Sequence, residues 1–396
     1  MFEKKWENVE FLIGNKNLNN QTLFPYDPII CEFLDKFSIE LSKKKYNIYT
    51  DLKSLSFWCR KTNIEKLKSN FKYDNIKKGR GLILHVTPSN VPTNFIYSLI
   101  FGLITGNSNI VKVPSKKFEQ IKIICDVIKK LLKIKKFNKI KGLINIIRFK
   151  ENKNLMKYLS NICDVRIIWG GSKSIKSIKE FPLQDRSTEI IFADRYSFCL
   201  INSDEIKKMT KFDLKILVKR FFNDTYLFDQ NACSSPHLIL WTGKSTSFSR
   251  KKFWLELNQQ VEKNYSIPEK ASFDKFNKFC VDAAKLINVK FQEKYNTNIH
   301  TIFLNKIDKE VDNLKGKWGY FYEHEIKNLD NLKNIVNKKY QTLTYYGFKK
   351  ERLKSIFKND IKGIDRVVPI GQALDISLNW DGFDINNSLT RVVDIK

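Results

Sequence analysis

Glycine, proline and histidine are all scarce in this chain of 396 residues, which has 15, 9 and 4 of them. The histidines have no metal-ligand spacing with one another or with cysteine, which argues against a zinc site. They lie at His85, His237, His300 and His324. Because turn-forming residues are few, the places where glycine and proline cluster indicate loops.

Cysteine shows no paired pattern, since seven copies occur without any Cys-x-x-Cys spacing. Met1 is followed by Phe-Glu-Lys-Lys rather than by a charged stretch and then an apolar one, so we expect no secretory signal. Both features indicate a cytoplasmic protein whose cysteines are reduced and mostly small core residues.

Arginine is scarce relative to lysine and supplies only 11 of the 71 basic residues. The formal net charge of the chain is +29. One interpretation of this charge is a polyanionic partner, such as nucleic acid or an anionic membrane. However, arginine is the residue that grips phosphates and base edges, and the lysines are scattered among apolar residues. We therefore favour solvated helix faces and no nucleic-acid partner. A positive field would still attract a phosphorylated cofactor or an acidic carrier protein.

Charged residues are absent from 81–111, which gives this stretch the composition of a membrane span. Pro88 and Pro92 interrupt it, and the apolar run at 95–104 is too short to cross a bilayer. We expect a buried strand, loop and helix here, and no transmembrane segment.

Short apolar runs alternate with amphipathic stretches beyond about residue 75. The runs predict strands over 81–86, 108–113, 144–149, 165–169, 189–192 and 197–201. Helices are predicted between them, over 93–106, 118–133 and 154–162. Such alternation is typical of a doubly wound α/β domain with a mostly parallel sheet. A second α/β region is expected at 205–365, and residues 1–75 are expected to be largely helical, with amphipathic stretches at 29–41 and 52–67.

The loop Thr87-Pro-Ser-Asn-Val-Pro-Thr-Asn94 follows the first predicted strand of this sheet. Ligands bind at the carboxyl ends of strands in open α/β sheets. Two prolines restrict the loop and hold Asn90, whose side-chain amide could donate to a developing oxyanion. The alternative is that Asn90 bonds only the backbone of its own turn, and the local sequence does not decide between the two.

A segment rich in lysine spans the end of the second predicted strand. Lys112 lies in this strand, and Ser115 and Lys116 come directly after it, where they could contact a ribose or its 2′-phosphate. The alternative is an ordinary turn into a helix capped by Ser115.

A glycine pair follows the fourth predicted strand. Gly170, Gly171 and Ser172 open a short helix, and glycines there let backbone amides approach a pyrophosphate. The pattern is not the Gly-x-Gly-x-x-Gly fingerprint, so alone it is a weak signal.

Small residues surround Cys233 in the stretch Asp229-Gln-Asn-Ala-Cys-Ser-Ser-Pro-His237, which precedes a predicted strand at 238–241. They leave room for a thiolate, a strong nucleophile, to face a ligand. The other six cysteines lie among bulky or charged neighbours and are typical of structural cysteines. A buried cysteine is more often inert, so this stretch alone does not assign a role.

In this order the four motifs resemble the aldehyde dehydrogenase superfamily, and most closely its fatty acyl reductase branch, the LuxC-type acyl-CoA reductases. The resemblance extends over about 75–396 and includes FADRYSF, RVVPIGQALD and WDG at 192–198, 366–375 and 380–382. It implies an aldehyde dehydrogenase-like α/β fold. A nicotinamide dinucleotide-binding domain would lie at 76–204, completed by 366–396. A catalytic domain carrying the nucleophile would lie at 205–365.

The resemblance also implies roles for individual residues. Cys233 matches the family nucleophile, and Asn90 matches the asparagine that binds the oxyanion together with the backbone N–H of that cysteine. Lys112 matches the lysine that holds the adenosine ribose. Gly171 and Ser172 match the glycine and serine near the pyrophosphate.

Two departures from the superfamily pattern bear on the reaction. Hydrolysing members carry a glutamate that activates water, and Ile191 stands at the matching position, with Glu189 two residues away. NAD-preferring members place a glutamate shortly after the ribose lysine, whereas Lys116 and Lys117 follow here and would attract a 2′-phosphate. The resemblance therefore implies NADPH-dependent reduction of an acyl-CoA, acyl-protein thioester or acyl-adenylate to a fatty aldehyde through an acyl-cysteine.

Two alternative functions stay open. One is an aldehyde dehydrogenase that oxidises an aldehyde to the free acid, with Glu189 as base. The other is a basic polyanion-binding protein on an inactive dehydrogenase-like scaffold. The resemblance also implies a homo-oligomer that works with an acyl-protein synthetase and an acyl-transferase. The proton donor is not identified, although Asp229 and His237 lie near Cys233 in sequence.

Overall fold

The computed structural model describes residues 3–71, 76–308, 310–358 and 361–396. Its strands are β1 Glu10–Ile13, β2 Ile76–Gly79, β3 Leu82–Val86, β4 Ser108–Val113, β5 Ile144–Arg148, β6 Val165–Trp169, β7 Thr188–Phe192, β8 Tyr196–Asn202, β9 Leu238–Thr242, β10 Val289–Tyr295, β11 Ile299–Leu304, β12 Tyr320–Glu325, β13 Tyr340–Tyr346, β14 Arg366–Pro369, β15 Asn379–Trp380, β16 Phe383–Asp384 and β17 Thr390–Val393.

Helices connect most of these strands. The α-helices are α1 Pro28–Leu41, α2 Thr50–Trp58, α3 Lys61–Ser69, α4 Asn94–Ile104, α5 Glu119–Leu132, α6 Asn138–Lys141, α7 Lys153–Ile162, α8 Ser172–Lys179, α9 Ser203–Lys208, α10 Lys211–Tyr226, α11 Thr246–Asn264, α12 Glu269–Lys285, α13 Lys350–Lys354 and α14 Ile385–Ser388. Short 3₁₀ helices lie at Glu3–Trp6, Lys44–Tyr46, Lys135–Phe137, Val311–Asn313, Leu329–Asn334 and Ser355–Lys358.

The chain divides into two compact units, Met1–Asp194 with Ser377–Lys396, and Arg195–Ile376. The domain boundaries predicted from the sequence are at 204 and 366. Strand β8 accounts for the first difference, because it pairs with β9 and β13 inside the second sheet. Strand β14 accounts for the second, because it forms the edge of that same sheet.

The first unit contains a six-stranded sheet in the order β1-β5-β4-β3-β6-β7. Strands β3 to β7 are parallel, and only β1 runs antiparallel, beside β5. Buried apolar side chains on both faces of the central strands explain why the sequence reads there as continuous apolar runs. The predicted doubly wound α/β fold is confirmed for this unit.

The uncharged stretch at 81–111 folds as β3, α4 and the start of β4, as predicted. Helix α4 is buried along nearly its whole length, which explains why it lacks charged residues. In the described part of the chain, no helix is long and apolar enough to cross a membrane.

The amino-terminal region is largely helical from residue 28 onward, but β1 and an irregular segment at 14–27 precede α1 and were not predicted. The expected helix at 52–67 is divided in two, because Arg60 is extended between α2 and α3. Residues 1–2 and 72–75 of the predicted helical region lie outside the described residues. The carboxyl-terminal tail belongs to the same unit, since β17 pairs with β2 and Asn107 donates to the Leu389 carbonyl at 3.0 Å.

The second unit contains a seven-stranded sheet in the order β10-β11-β12-β9-β8-β13-β14. All its pairs are parallel except β10 with β11. Alternate side chains of β8 enter two apolar cores, with Phe198 and Leu200 in one and Cys199 and Ile201 in the other. Helices α10 and α11 cover the second of these cores.

Candidate active site

Three motifs singled out from the sequence, one catalytic and two for the cofactor, follow neighbouring strands of the first unit's sheet. Strand β3 has β4 on one side and β6 on the other, so the strand order reverses beside β3. The loops that follow these three strands leave from their carboxyl ends, at the topological switch point where doubly wound sheets bind ligands. The Asn90 loop, the lysine segment and the glycine pair therefore lie at neighbouring strand ends.

Asn90 is exposed in the loop between β3 and α4. Within the described residues its side chain makes no hydrogen bond, so it does not bond its own turn, which was the structural alternative. The loop is held by its neighbours instead. Thr87 bonds the Lys112 carbonyl through its hydroxyl at 2.9 Å, and Asn94 N–H donates to the Val91 carbonyl at 3.1 Å. The amide of Asn90 is thus presented on an anchored loop.

The lysine segment surrounds the end of β4. Burial lowers the pKa of Lys112, whose Nζ lies 5.0 Å from the centroid of the Phe149 ring. Ser115 and Lys116 are exposed, and Lys116 Nζ lies 4.9 Å from the Phe118 ring centroid. Ser115 does not cap the next helix, because α5 begins only at Glu119. The turn is therefore longer than the capped turn considered from the sequence.

The glycine pair leaves open space at the start of α8. Gly170 N–H donates to the Phe192 carbonyl at 3.1 Å, which ties this end of β6 to β7. Gly171 is at the N-cap position of α8, and a Cβ added there would meet no atom within 4 Å. Ser172 is exposed as the first residue of the helix. A phosphate group could therefore approach these amides without a steric obstacle.

A buried hydrogen-bond chain orients the residue before this glycine pair. Asn109 donates its side-chain N–H groups to two carbonyls, so its Oδ1 accepts from His85 Nε2 at 3.0 Å. His85 Nδ1 then accepts from Ser98 Oγ at 2.7 Å, and Ser98 Oγ accepts from Trp169 Nε1 at 3.0 Å. Burial lowers the pKa of His85 to about 4, so its ring is neutral. Each hydrogen bond in this series therefore has a defined donor and acceptor. Trp169 also stacks on Phe192, with ring centroids 3.8 Å apart.

Cys233 lies in a turn at the amino ends of three strands of the second unit. Its carbonyl accepts from the hydroxyl of Ser197, the second residue of β8, at 2.6 Å. Thr342 N–H of β13 donates to the same hydroxyl at 3.2 Å. His237 N–H, just before β9, donates to the Ser197 carbonyl at 3.0 Å. Cys233 itself is half-buried.

Gln230 holds the entry to this turn. Its side-chain amide donates to the carbonyls of Pro236 and Tyr320 at 2.9 and 3.0 Å, and its Oε1 accepts from two backbone N–H groups. Both Gln230 and Asp229 have positive φ angles, 60° and 53°, so the chain bends sharply after α10. Such strained backbone persists only where its surroundings hold it, and it is common at functional sites.

Most of the other cysteines differ from Cys233 in burial. Four are fully buried, and burial raises the pKa of each thiol: Cys59, Cys125, Cys163 and Cys199. Burial also raises the pKa of half-buried Cys31, and Cys280 is exposed on α12. The buried thiols therefore fit the structural role expected for them.

Glu189 is engaged in an ion pair. Arg166 on β6 donates from Nε to Glu189 Oε1 at 2.7 Å, and the same guanidinium donates to Ser160 Oγ and the Phe181 carbonyl. The Arg166 side chain is only 3% exposed. Ile191, which stands where hydrolysing relatives carry the base, is apolar. Neither residue of β7 is a free carboxylate base.

The two residues considered as proton donors have other roles. Burial lowers the pKa of His237 to about 3, and its ring stacks on Tyr196 with centroids 5.6 Å apart. Asp229 accepts a short hydrogen bond from the Tyr265 hydroxyl. A proton donor is therefore not assigned to either residue.

Several residues that build the Cys233 turn were not singled out from the sequence. Ser197 lies within the family-like stretch at 192–198, and Gln230 lies within the Asp229–His237 stretch, so a signal for both existed. Asp224 lies in α10, and nothing in the local sequence marks its contacts with distant loops. Among the described residues, no group of three or more His, Cys, Asp or Glu could hold a metal ion.

Comparison with protein families gives one match, to a model described as acyl-CoA reductase (LuxC), over residues 2–392. The chain is 20% identical over 302 residues to a long-chain acyl-protein thioester reductase of Photorhabdus luminescens. It is 21% identical over 299 residues to the protein of the same name from Aliivibrio fischeri. Each alignment covers 74% of this chain and 58% of the relative, so the chain spans less than two thirds of these relatives.

Among solved structures, the chain is similar to aldehyde dehydrogenase 21 from Physcomitrella patens. The TM-score is 0.63 at 10% identity, and the alignment covers 92% of this chain and 85% of that structure. At this identity the likeness shows the fold alone, which confirms the predicted aldehyde dehydrogenase-like architecture.

Proposed function

Because the chain belongs to the acyl-CoA reductase (LuxC) family, we propose that it reduces an activated fatty acyl group to a fatty aldehyde with NADPH. The observation that carries the proposal is the turn of Cys233, a half-buried cysteine fixed by Ser197 in a chain whose other described cysteines are mostly deeply buried. A half-buried cysteine whose backbone is anchored suits a covalent intermediate.

The first step is acyl transfer to the protein. The Cys233 thiolate attacks the acyl carbonyl carbon, the new C–S bond forms, and the carrier leaves with the electrons of its own bond. We assign stabilisation of the tetrahedral oxyanion to the Asn90 amide and the Cys233 N–H. The exposure of Asn90 on an anchored loop, without an internal hydrogen bond in the described residues, supports this role.

The cofactor residues lie at the edge of the first unit's sheet. Gly171 and Ser172 would hold the pyrophosphate over the start of α8, with Gly170 linking this segment to β7. Lys112 would hold the adenosine ribose, and Ser115 and Lys116 would contact its 2′-phosphate. The open space above Gly171 fits such a group. A nicotinamide held there would supply the hydride that reduces the acyl carbon, and the thiohemiacetal at Cys233 would then break down to aldehyde and free Cys233.

The ion pair of Glu189 supports reduction over hydrolysis. A carboxylate that is held as the partner of a buried arginine is not free to take a proton from water. Without a base, water attacks the thioester slowly, and the acyl-cysteine persists until hydride arrives. The polyanion-binding alternative has no comparable support, since the sequence motifs around Cys233 and Asn90 are both intact.

The names of two relatives support a proposal for the acyl carrier. Both are named acyl-protein thioester reductases, so we propose a fatty acyl thioester as substrate. An acyl-protein synthetase and an acyl-transferase would supply the acyl group, and the enzyme would act as a homo-oligomer in the cytoplasm.

One assay separates the candidate functions. The protein is incubated with acyl-CoAs of several chain lengths and with NADPH or NADH, and aldehyde is measured. Aldehyde formation with NADPH supports the proposal. Production of free acid from aldehyde and NAD would instead indicate the oxidising enzyme. Salt-steep binding to polyanions without cofactor binding would indicate the inactive scaffold.

A further inference from the structure

Helix α12 of the second unit buries charged side chains on the face that it turns towards β12. Lys275 is 2% exposed, and its Nζ donates to two backbone carbonyls, at 3.0 and 2.8 Å. Asp282, seven residues later on the same face, accepts from the hydroxyls of Tyr320 and Tyr322 at 2.8 and 2.5 Å. These bonds fix the rotation of the helix about its own axis, and therefore which side chains point to solvent.

The opposite face of α12 is an apolar stripe that is exposed to solvent. Its members recur at spacings of three, four, seven and eight residues, which places them on one side of a helix. They are Phe273, Phe276, Cys280, Val281 and Ala284, and all five are exposed. Phe273 is 65% exposed, and Ile287, just beyond the helix, is 97% exposed. Exposed apolar side chains that are grouped in this way indicate a surface that contacts a partner.

Lysines border the α12 stripe. Lys270 and Lys285 are exposed near its two ends. Beside it, Lys294 Nζ on β10 lies 5.1 Å from the centroid of the Phe276 ring. The exposed carboxylates of α12 and β10 are Glu269 and Asp274. The border of the stripe is therefore more positive than negative, which favours a partner of negative charge.

The lysines also disfavour a second copy of the chain as this partner. In a symmetric contact the same patch of both copies meets, so Lys270 of one copy would face Lys270 or Lys285 of the other. Like charges placed opposite each other oppose association. A stable protein interface engages about 20–30 residues a side, which is many more than the stripe contains.

A lipid bilayer fits the stripe better, because it needs no complementary pocket. Aromatic and aliphatic side chains of an interfacial helix enter the boundary between headgroups and acyl chains. Lysines beside them are attracted to anionic headgroups. Positive charge alone would not distinguish this helix, since lysines are spread over the whole chain. The exposed stripe is the feature that a solvated helix face lacks.

We propose that α12 is a peripheral membrane-binding element whose apolar stripe enters the interface of an anionic phospholipid bilayer. The lysines at its border contact the headgroups. Only one face of the helix is apolar, so it lies in the plane of the interface and does not cross the bilayer. This proposal is independent of the reaction proposed for Cys233.

The test is co-sedimentation of the full chain with lipid vesicles. Vesicles of phosphatidylcholine alone are compared with vesicles that also contain phosphatidylglycerol. We expect binding to the anionic vesicles, little binding to the neutral ones, and weaker binding as salt is raised. Phe273→Ser combined with Phe276→Ser should lower the partition coefficient by about tenfold or more. Phe57→Ser, at an exposed aromatic on α2, is the matched control and should leave it unchanged.

Lysine variants test the border of the stripe separately. Lys270→Gln and Lys294→Gln should each weaken binding to the anionic vesicles by about fivefold. Lys129→Gln makes the same charge change at an exposed position on α5 and should weaken binding less. Equal effects of all three would show that only the overall charge acts, and would contradict the proposal.

A fluorophore at Cys280 gives a second measurement that leaves the stripe's aromatic residues intact. In a Cys31→Ala, Cys233→Ala background the other cysteines are fully buried, so a polarity-sensitive label reacts at Cys280. Its emission should shift to the blue when anionic vesicles are added.

Four results would overturn the proposal. They are no binding of the wild type to anionic vesicles, unchanged binding of the double phenylalanine variant, an equal loss in Phe57→Ser, and no shift of the Cys280 label. Self-association of the wild type that the double variant abolishes would also contradict it, because the stripe would then be an interface between copies.

Discussion

Arg166 Nε donates to Glu189 Oε1 at 2.7 Å, across the parallel strands β6 and β7. The arginine is almost fully buried and has two further acceptors, Ser160 Oγ and the Phe181 carbonyl. Glu189 is therefore the counter-ion of a buried cation. This contact separates the acyl-reducing account from the hydrolysing one, because the latter requires a carboxylate that is free to take a proton from water.

Glu189→Gln should preserve aldehyde formation per folded molecule and lower stability. Removing one partner of a buried ion pair leaves the Arg166 charge uncompensated, which costs about 3 kcal/mol. Denaturant unfolding and aldehyde assays measure the two effects. Glu180→Gln, at an exposed position on the same unit, is the matched control and should change neither. Loss of turnover at unchanged stability would show that Glu189 acts in catalysis.

The sequence could not decide between Ile191 and Glu189 because the register of β7 was unknown. Residues two positions apart on a strand point to the same face, so alternation does not separate them. The structure pairs Arg166 directly with Glu189, and this partner lies 23 residues away in the chain. Pairing of this kind depends on strand order, which local patterns do not encode.

Gly171→Val should weaken cofactor binding without destabilising the fold. A side chain fits at this position, where a Cβ meets no atom within 4 Å, but it would occupy the space assigned to the pyrophosphate. We expect the Kd for NADPH to rise by about tenfold or more, the loss of roughly one charge-assisted hydrogen bond. Tryptophan fluorescence, with Trp169 beside the site, measures the binding.

A control for that substitution is Gly81→Ala. Gly81 has φ of 144°, and a Cβ there would lie 1.9 Å from Asp164 Oδ2, so this variant should lose stability. If Gly171→Val bound NADPH as the wild type does, the glycine pair would not be the pyrophosphate site.

Lys116→Glu should discriminate between the two nicotinamide cofactors. A carboxylate would repel the 2′-phosphate of NADPH but not the 2′-hydroxyl of NADH, so the KM for NADPH should rise by about tenfold while that for NADH stays level. Lys129→Glu, an exposed substitution on α5 with the same charge change, controls for the overall field. Equal effects of Lys116→Glu on both cofactors would remove Lys116 from the phosphate site.

His300→Phe should stabilise the protein. The His300 ring is 2% exposed, and neither ring nitrogen has a hydrogen-bond partner among the described residues. An unsatisfied buried polar group costs about 1–3 kcal/mol, and Phe279 and Tyr320 already surround the ring with aromatic contacts. Urea unfolding at neutral pH should show the gain, and a loss of stability would contradict this account of the ring.

The same variant should be less sensitive to acid. Burial lowers the pKa of His300 to about 3, below its unfolded value of 6.5, so the unfolded state takes up a proton first as the pH falls. The wild type therefore loses stability from pH 6.5 towards 3, at up to about 1.4 kcal/mol per pH unit from this residue. The stability difference between variant and wild type should widen over that window.

The parallel strands were predictable because burial on both faces gives continuous apolar runs. Strand β1 was not, because its Glu-Phe-Leu-Ile sequence is short and its partner β5 lies more than 130 residues away. The break between α2 and α3 has no glycine or proline at Arg60, so helical periodicity continued through it. Strand β8 was predicted correctly but placed in the wrong sheet, since strand order is a property of the whole fold.

The candidate site was likewise only partly predictable from the sequence. Cys233, Asn90 and the glycine pair stand in local motifs that the sequence displays. The hydrogen bonds that hold the Cys233 turn come from Ser197 and from Asp224, which only the folded chain brings to it.

Covalent labelling by acyl donor tests the central claim most directly. Wild type, Cys233→Ala and Cys280→Ala are incubated with radiolabelled long-chain acyl-CoA without cofactor, and protein-bound label is counted after denaturation. We expect label on the wild type and on Cys280→Ala, none on Cys233→Ala, and release of the label as aldehyde when NADPH is added. Label that persists on folded Cys233→Ala would contradict the account.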